Sequence, residues 1–368
     1  MGGITGHLKH IYEYDTLTGA DVCRLATDLM LGNVSATEKV DGLNIQVTIN
    51  ENGNIRFIRN KGDVNNGGMS FEDIAEKWKD NKEVRDCYID AACKLISILN
   101  PDLTAYFNPD ENTKRAFNVE CLCGKTNAIP YNCNKIYIHN VFVYKKTVDG
   151  WVNVDIEDLP DVFERFKSPT LDFDRTDSNV INDYINRIST VLPLNMTIDE
   201  YKFRKFYSWC EDFEPWILEE DFATKVLYER WFKGIKAFNL TKLKDIYGSN
   251  AERLVFLDKG YRHIVSSVMK VLDAYIIELG QIVLGNCKGY INYNEDINMM
   301  SDLFDAVDYL MESGDEETVY KLNKQIDRLY GKVYPLEGIV FNWNGLQMKL
   351  TGNFAPYNQI LGMKKFGK

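Results

Sequence analysis

Lys39 is the residue whose neighbours set it up for nucleophilic chemistry. It lies in Ala36-Thr37-Glu38-Lys39-Val40-Asp41-Gly42-Leu43-Asn44. A short apolar-polar alternation meets a glycine here, so the amine can project from the end of a strand into a pocket. An amine attacks only when uncharged, and an ordinary lysine has a pKa of about 10.4. The pocket must therefore supply nearby cations, a metal or desolvation. The competing reading is a hairpin in which Asp41-Gly42 makes the turn and Lys39 is merely solvated.

Further segments weigh against the hairpin. They are Arg56-Phe57-Ile58-Arg59-Asn60-Lys61, Phe117-Asn118-Val119-Glu120, Ile136 to Tyr144, Glu337-Gly338-Ile339-Val340-Phe341 and Gln347-Met348-Lys349-Leu350-Thr351-Gly352. In this order the chain resembles the covalent nucleotidyltransferases, the superfamily of ATP-dependent polynucleotide ligases and mRNA capping enzymes. It is most similar to the nick-sealing RNA ligases of bacteriophage and kinetoplastid editing type. Those carry Lys-x-x-Gly-x-Asn after a Glu, with an Arg about two strands downstream, and Glu38, Lys39, Gly42, Asn44 and Arg59 fit. The resemblance covers roughly residues 30 to 145 and 333 to 368.

That resemblance implies attack of Lys39 on the α-phosphate of ATP to give lysyl-AMP, transfer of AMP to a 5′-phosphate end, and sealing by a 3′-hydroxyl. It implies Mg²⁺ or Mn²⁺ held by Glu337. The nucleotide would be bound by Glu38, Asn44, Arg59, Glu120, His139 and Lys349, with Glu120 on either the metal or the ribose. His139-Asn140 stands where these ligases carry a Phe-Asp pair, so either His139 or Phe142 is the ring that stacks on the base. Gln347 departs from the pattern, which commonly has a lysine two residues before Lys349. RNA is favoured over DNA on the Glu-Lys-x-x-Gly-x-Asn form alone. The other readings are a DNA ligase, a capping-type nucleotidyltransferase and a noncatalytic nucleotide- or nucleic-acid-binding protein.

Composition sets limits. The 368 residues, 45% hydrophobic and 26% charged, suffice for two domains or one with a large insertion. A net charge of −11 excludes a uniformly basic nucleic-acid binder, so contact with a polynucleotide would need a local basic surface. One exists between Lys225 and Lys270, with ten Lys or Arg against four Asp or Glu. Lys233, Lys236, Lys242 and Lys244 are its candidate phosphate contacts; the bland alternative is a solvated helix face. Eight scattered cysteines give no paired Cys-x-x-Cys and point to reduced thiols and a cytoplasmic setting. Cys121, Cys123, Cys133 and His139 match no common zinc spacing. No leader and no apolar run of about 20 residues is expected to direct the chain into a membrane.

The expected fold is α+β: a nucleotidyltransferase (ATP-grasp-like ligase) core of antiparallel sheets with flanking helices, plus a large all-helical insertion. The core spans 1–153 and 333–368, and the helical insertion or substrate-binding domain spans 154–332. Around Lys39 the pattern predicts a helix near Ala20 to Leu31 and a strand pair Leu43 to Ile49 and Ile55 to Ile58 about Glu51-Asn52-Gly53-Asn54. Helices follow at Phe71 to Lys79 and at Glu83 to Leu99, the latter with Ile89, Ala92, Cys93, Ile96 and Leu99 on its apolar stripe. Strands return at Ala116 to Leu122 and Lys135 to Tyr144. In the second of these, simple alternation sets Tyr137, His139, Val141 and Val143 against Ile138, Phe142 and Tyr144. Thr197-x-x-Glu200 reads as a capping box, and Ile264 to Val283 as a long amphipathic stripe.

Overall fold

The structure, a computed structural model, describes residues 8–213 except 41, 123–134 and 149, then 215, 218, 271–288, parts of 302–313, 314–330 and 336–352. The basic island with Lys233, Lys236, Lys242 and Lys244 lies outside the described residues, as do Asp41, Cys123 and Cys133. The chain is mixed α+β and divides into two compact units. One comprises Met1–Leu8, Ser35–Asp172 and Cys287–Lys368, and the other Lys9–Val34 and Phe173–Asn286.

The strands of the first unit are β1 (Ala36–Glu38), β2 (Leu43–Ile49), β3 (Ile55–Ile58), β4 (Thr113–Leu122), β5 (Lys135–Thr147), β6 (Gly150–Glu157), β7 (Thr170–Leu171), β8 (Gly338–Trp343) and β9 (Leu346–Thr351). In one sheet β9 pairs with β8, β8 with β1 and β1 with β7, all antiparallel. The other has the order β3-β2-β4-β5-β6, again antiparallel throughout. β1 and β2 thus lie in different sheets, and Lys39 to Gly42 is the crossing between them. The hairpin reading of Asp41-Gly42 fails for that reason.

The second sheet has two kinds of face because β2 alternates. Ile45, Val47 and Ile49 enter a core with Phe57, Phe107, Phe117, Val119, Ile138 and Val141, roofed by Tyr88, Ala92 and Leu95 of the helix Lys82–Ile98. Each such fully buried apolar side chain is worth roughly 1.5–3 kcal/mol. Asn44, Gln46 and Thr48 point to the opposite face. The turn into β3 is built on Asn50, whose side chain accepts from Asn52 and Asn54 N–H, and on Gly53, whose φ of 76° an L side chain would resist. The predicted stripe of Lys82–Ile98 holds at Ile89, Ala92 and Leu99 and is displaced elsewhere: Cys87, Tyr88, Ala91 and Leu95 are buried, whereas Ile96 is 44% exposed and Cys93 lies in the open. Both stripes have helical spacing, and the sheet beneath selects the one carrying Tyr88.

A second displacement bears on the site. β4 and β5 pair as Val119↔Ile138 and then Asn118↔Asn140, so His139 is an extra residue, a β-bulge. The simple alternation expected for β5 breaks there. Ile138 and Val141 fall in the same core, and Phe142 and Tyr144 join Ile58, Val64 and Ala116 in another.

Apart from the two-residue strand Lys9–His10, the regular elements of the second unit are helical where described. Gly19–Met30 is capped by Thr18, whose hydroxyl accepts from Asp21 N–H, and buries Val22, Leu25, Ala26 and Leu29 as the spacing predicts. Ser178–Val191, Ile198–Phe213 and 271–285 follow. Thr197 and Glu200 form the predicted capping box, with Thr197 N–H to Glu200 Oε2 at 2.8 Å and Glu200 N–H to Thr197 Oγ1 at 3.2 Å. Tyr184 Oη donates to the Tyr275 carbonyl at 2.9 Å, and Arg187 forks onto Glu278. Among the described residues the expectation of reduced thiols fails at Cys87, which is disulfide-bonded, while Cys23, Cys93, Cys121, Cys210 and Cys287 are free. Among the described residues no helix is long and apolar enough to cross a membrane.

Candidate active site

Lys39 follows directly on β1, and its backbone N–H donates to Gly338 O at 2.9 Å as β1 leaves its partner β8. Glu337 immediately precedes β8. The two side chains, nearly the whole chain apart in sequence, meet with Nζ to Oε2 at 2.6 Å, at 21% and 17% side-chain exposure. Lys349 sits across from Val340, and Val340 across from Thr37. Lys349, Val340 and Thr37 thus share one face of this sheet, and alternation continues that face from Thr37 toward Lys39. Lys349 is only 5% exposed.

Glu38 does not join them. It lies across from Ile339 on the alternate face, buried and near Cys287, whose thiol is pushed up to about 12 first by burial and then by the charges of Glu38 and Asp172. Its side chain is turned away from the face that carries Thr37, Val340 and Lys349.

Gly42 carries the chain onto the second sheet. Its N–H donates to Glu120 Oε1 at 3.0 Å, and a Cβ at this position would stand 2.6 Å from Cys121 O, so glycine is what lets the backbone close on β4. Asn44 lies across from Glu120 and gives its amide to Asn118 Oδ1 at 2.7 Å and to Glu120 Oε2 at 3.2 Å, while its carbonyl accepts from Tyr88 Oη at 3.2 Å. Glu120 is thus held at both oxygens. The bulge turns His139 to the same carboxylate, with Nε2 3.8 Å from Glu120 Oε2. Phe142, the alternative stacking ring, is 3% exposed and packed in the core; the rings beside Glu120 are His139 and Tyr137, the latter directly across from it in the strand pairing.

Arg59 stands at the end of β3, its N–H bonded to Asp63 Oδ2 at 2.9 Å. Its guanidinium acts on the Tyr88 phenol and the Cys121 thiol, both raised mainly by burial, as does the charge of Glu120. Arg59 makes no ion pair among the described residues. Gly42 is three steps along the chain from Lys39, a span of at most about 11 Å. The two groups, Lys39 with Glu337 and Glu120 with Asn44, His139 and Arg59, therefore flank one short crossing.

The sequence did not single out Asn118 and Gln46. Asn118 supplies an acceptor for Asn44, and Gln46 Oε1 accepts from Tyr144 Oη at 2.6 Å. The signal was present, since three polar residues alternating with Ile45, Val47 and Ile49 require something polar on their face.

Among the described residues no group of three His, Cys, Asp or Glu could hold a metal by itself. Glu337 suits a different arrangement, in which Mg²⁺ takes one protein carboxylate and completes its shell with waters and phosphate oxygens. Comparison with family models, curated proteins and solved structures gives no match.

Proposed function

We propose that the chain is an ATP-dependent RNA ligase that works through a lysyl-AMP intermediate. The observation that carries this reading is the convergence of Lys39 and Glu337 across 2.6 Å from opposite ends of the chain, beside the Gly42 crossing that delivers Glu120 and Asn44. A solvated lysine needs neither. Nucleotidyltransferase identity rests on this geometry together with the resemblance of the motifs.

An ammonium has no lone pair, so Lys39 must first give up a proton, and the Glu337 carboxylate is the acceptor in contact with it. The free amine attacks the α-phosphorus of ATP, a P–N bond forms, the bond to the bridging oxygen breaks, and pyrophosphate leaves. A 5′-phosphate oxygen of the polynucleotide then attacks the same phosphorus and returns the amine to Lys39. A 3′-hydroxyl finally displaces AMP and closes the phosphodiester. Lys349 and Arg59 offset charge on the phosphates. Glu120, fixed by Gly42 and Asn44, is oriented to accept from ribose hydroxyls. Mg²⁺ or Mn²⁺ would be held by Glu337 and, when bound, neutralises triphosphate charge.

The test is incubation with ATP or GTP labelled at the α-phosphate, with Mg²⁺, followed by a denaturing gel. The wild type becomes labelled by ATP, and Lys39→Ala abolishes labelling; because it leaves the largely buried Glu337 carboxylate without its partner, the variant is expected to melt lower, so its folding is checked by circular dichroism beside the labelling. Labelling by GTP instead selects a capping-type transferase. No labelling beside measurable nucleotide binding selects the noncatalytic reading, and equal labelling of Lys39→Ala removes the lysine assignment.

A further inference from the structure

The polar groups on the site face of the second sheet are nearly all engaged with one another. Gln46 Oε1 is taken by Tyr144, Asn118 Oδ1 by Asn44, and Glu120 by Gly42 and Asn44. Asn140 is the exception. It lies directly across from Asn118, is 7% exposed, and its amide oxygen is buried with no hydrogen-bond partner among the described residues. A buried amide normally finds partners, and one left unsatisfied at a candidate site calls for an explanation. The β-bulge connects it to the rest, because the extra residue, His139, is its neighbour and stands 3.8 Å from Glu120. An imidazole plane and an unsatisfied amide oxygen therefore stand side by side at the edge of the Asn44–Glu120 network.

A carboxamide presents a donor and an acceptor together, in one plane. Its complement is a planar group with an adjacent acceptor and donor. Adenine offers this at N7 and N6–H₂, whereas the same edge of guanine offers two acceptors, N7 and O6. Taking the nucleotide site proposed above as given, we infer that Asn140 is the residue that reads the base and sets preference for an adenine over a guanine nucleotide. Its amide turns onto the purine edge while His139 lies against the ring. Its position beside Asn118 rather than Glu120 keeps it clear of the ribose and phosphates, so it sets which nucleotide binds and takes no part in the transfer.

The experiment measures binding and chemistry separately on the full chain. Equilibrium affinities for ATP and GTP are determined by calorimetry for wild type, Asn140→Ala and Asn140→Asp, with covalent labelling run beside them. A good bidentate contact discriminates by roughly 10- to 100-fold, and Asn140→Ala is expected to lose about that much of the ATP:GTP ratio by weakening ATP alone. Asn140→Asp, which when ionised only accepts, can still take adenine N6–H₂ but leaves N7 without a donor, and on the same edge of guanine it meets only the acceptors N7 and O6, so it should weaken ATP without strengthening GTP. A merely structural Asn140 would lower both affinities together. An unchanged ratio in both variants, or a wild type that binds neither nucleotide, overturns the inference. A wild type that binds ATP in preference but is never labelled leaves the base reader standing and removes the ligase.

Discussion

Glu337 is asked to do two things, and they are separable at the level of one atom. Its carboxylate touches the Lys39 ammonium at 2.6 Å, and it is also the group suited to hold a divalent ion. Glu337→Gln keeps the shape and removes the charge. If the carboxylate serves the metal, labelling at fixed Mg²⁺ should fall roughly 10- to 100-fold and be partly restored by more metal, as for groups that orient a bound ion. A loss that no concentration of Mg²⁺ or Mn²⁺ restores assigns Glu337 to Lys39 alone, as the acceptor of its proton. The sequence placed both residues in motifs but could not show that they touch, because contact depends on β1 and β8 becoming neighbours. It also named Glu38 for the nucleotide, and alternation of side chains about Lys39 puts Glu38 on the other face.

Elements whose signals are local were legible, and those set by partners were not. The capping box at Thr197 and the turn on Asn50 follow from residues within four positions of each other, and the β2–β3 pair from two alternating runs that this turn joins. The bulge at His139 depends on how β4 lies against β5, and nothing in Ile138-His139-Asn140-Val141 announces it. The helical unit adds an element-scale prediction. On Ile198–Phe213 and 271–285, the Tyr201 hydroxyl and Asp273 Oδ1 are both buried without a hydrogen-bond partner among the described residues. Burial raises Asp273 above the usual carboxylate range and Glu13 adds to it, while the charge of Lys202 opposes. The same surroundings push Tyr201 up to about 12, burial first and Asp273 second. A carboxyl raised by folding adds stability while protonated, and loses it as pH climbs through the raised value. Asp273→Asn is therefore expected to melt with the wild type near pH 3.5 and above it at pH 7, the gap opening between the two. Thermal melts across that range check it, and a gap independent of pH would mean that the Asp273 charge costs nothing.

For the whole molecule the question is how a protein with 54 acidic residues against 43 basic ones would hold a polyanion. Overall charge repels, so attraction must be local, and the proposed ATP contacts at Lys39, Arg59 and Lys349 are too few to grip a duplex as well. The densest basic run is Lys225 to Lys270, far in sequence from every residue of the candidate site. If it touches phosphates, reversal of Lys233, Lys236, Lys242 and Lys244 to Glu should weaken binding to a nicked duplex. It should also flatten the plot of log affinity against log salt by about 0.9 for each phosphate no longer neutralised, or roughly 3 to 4 in all, because every neutralised phosphate releases condensed counterions. ATP labelling at Lys39 should persist in the same variant, since no proposed nucleotide-binding residue has changed. The bland alternative gives a different pattern. Cations that only pair with the acidic remainder, or solvate a helix face, would leave affinity for the nicked duplex and its salt slope as in the wild type. Affinity measured at four or five salt concentrations, with labelling run on the same preparations, separates a polynucleotide track from a solvated surface, and loss of labelling together with binding would instead report damage to the fold.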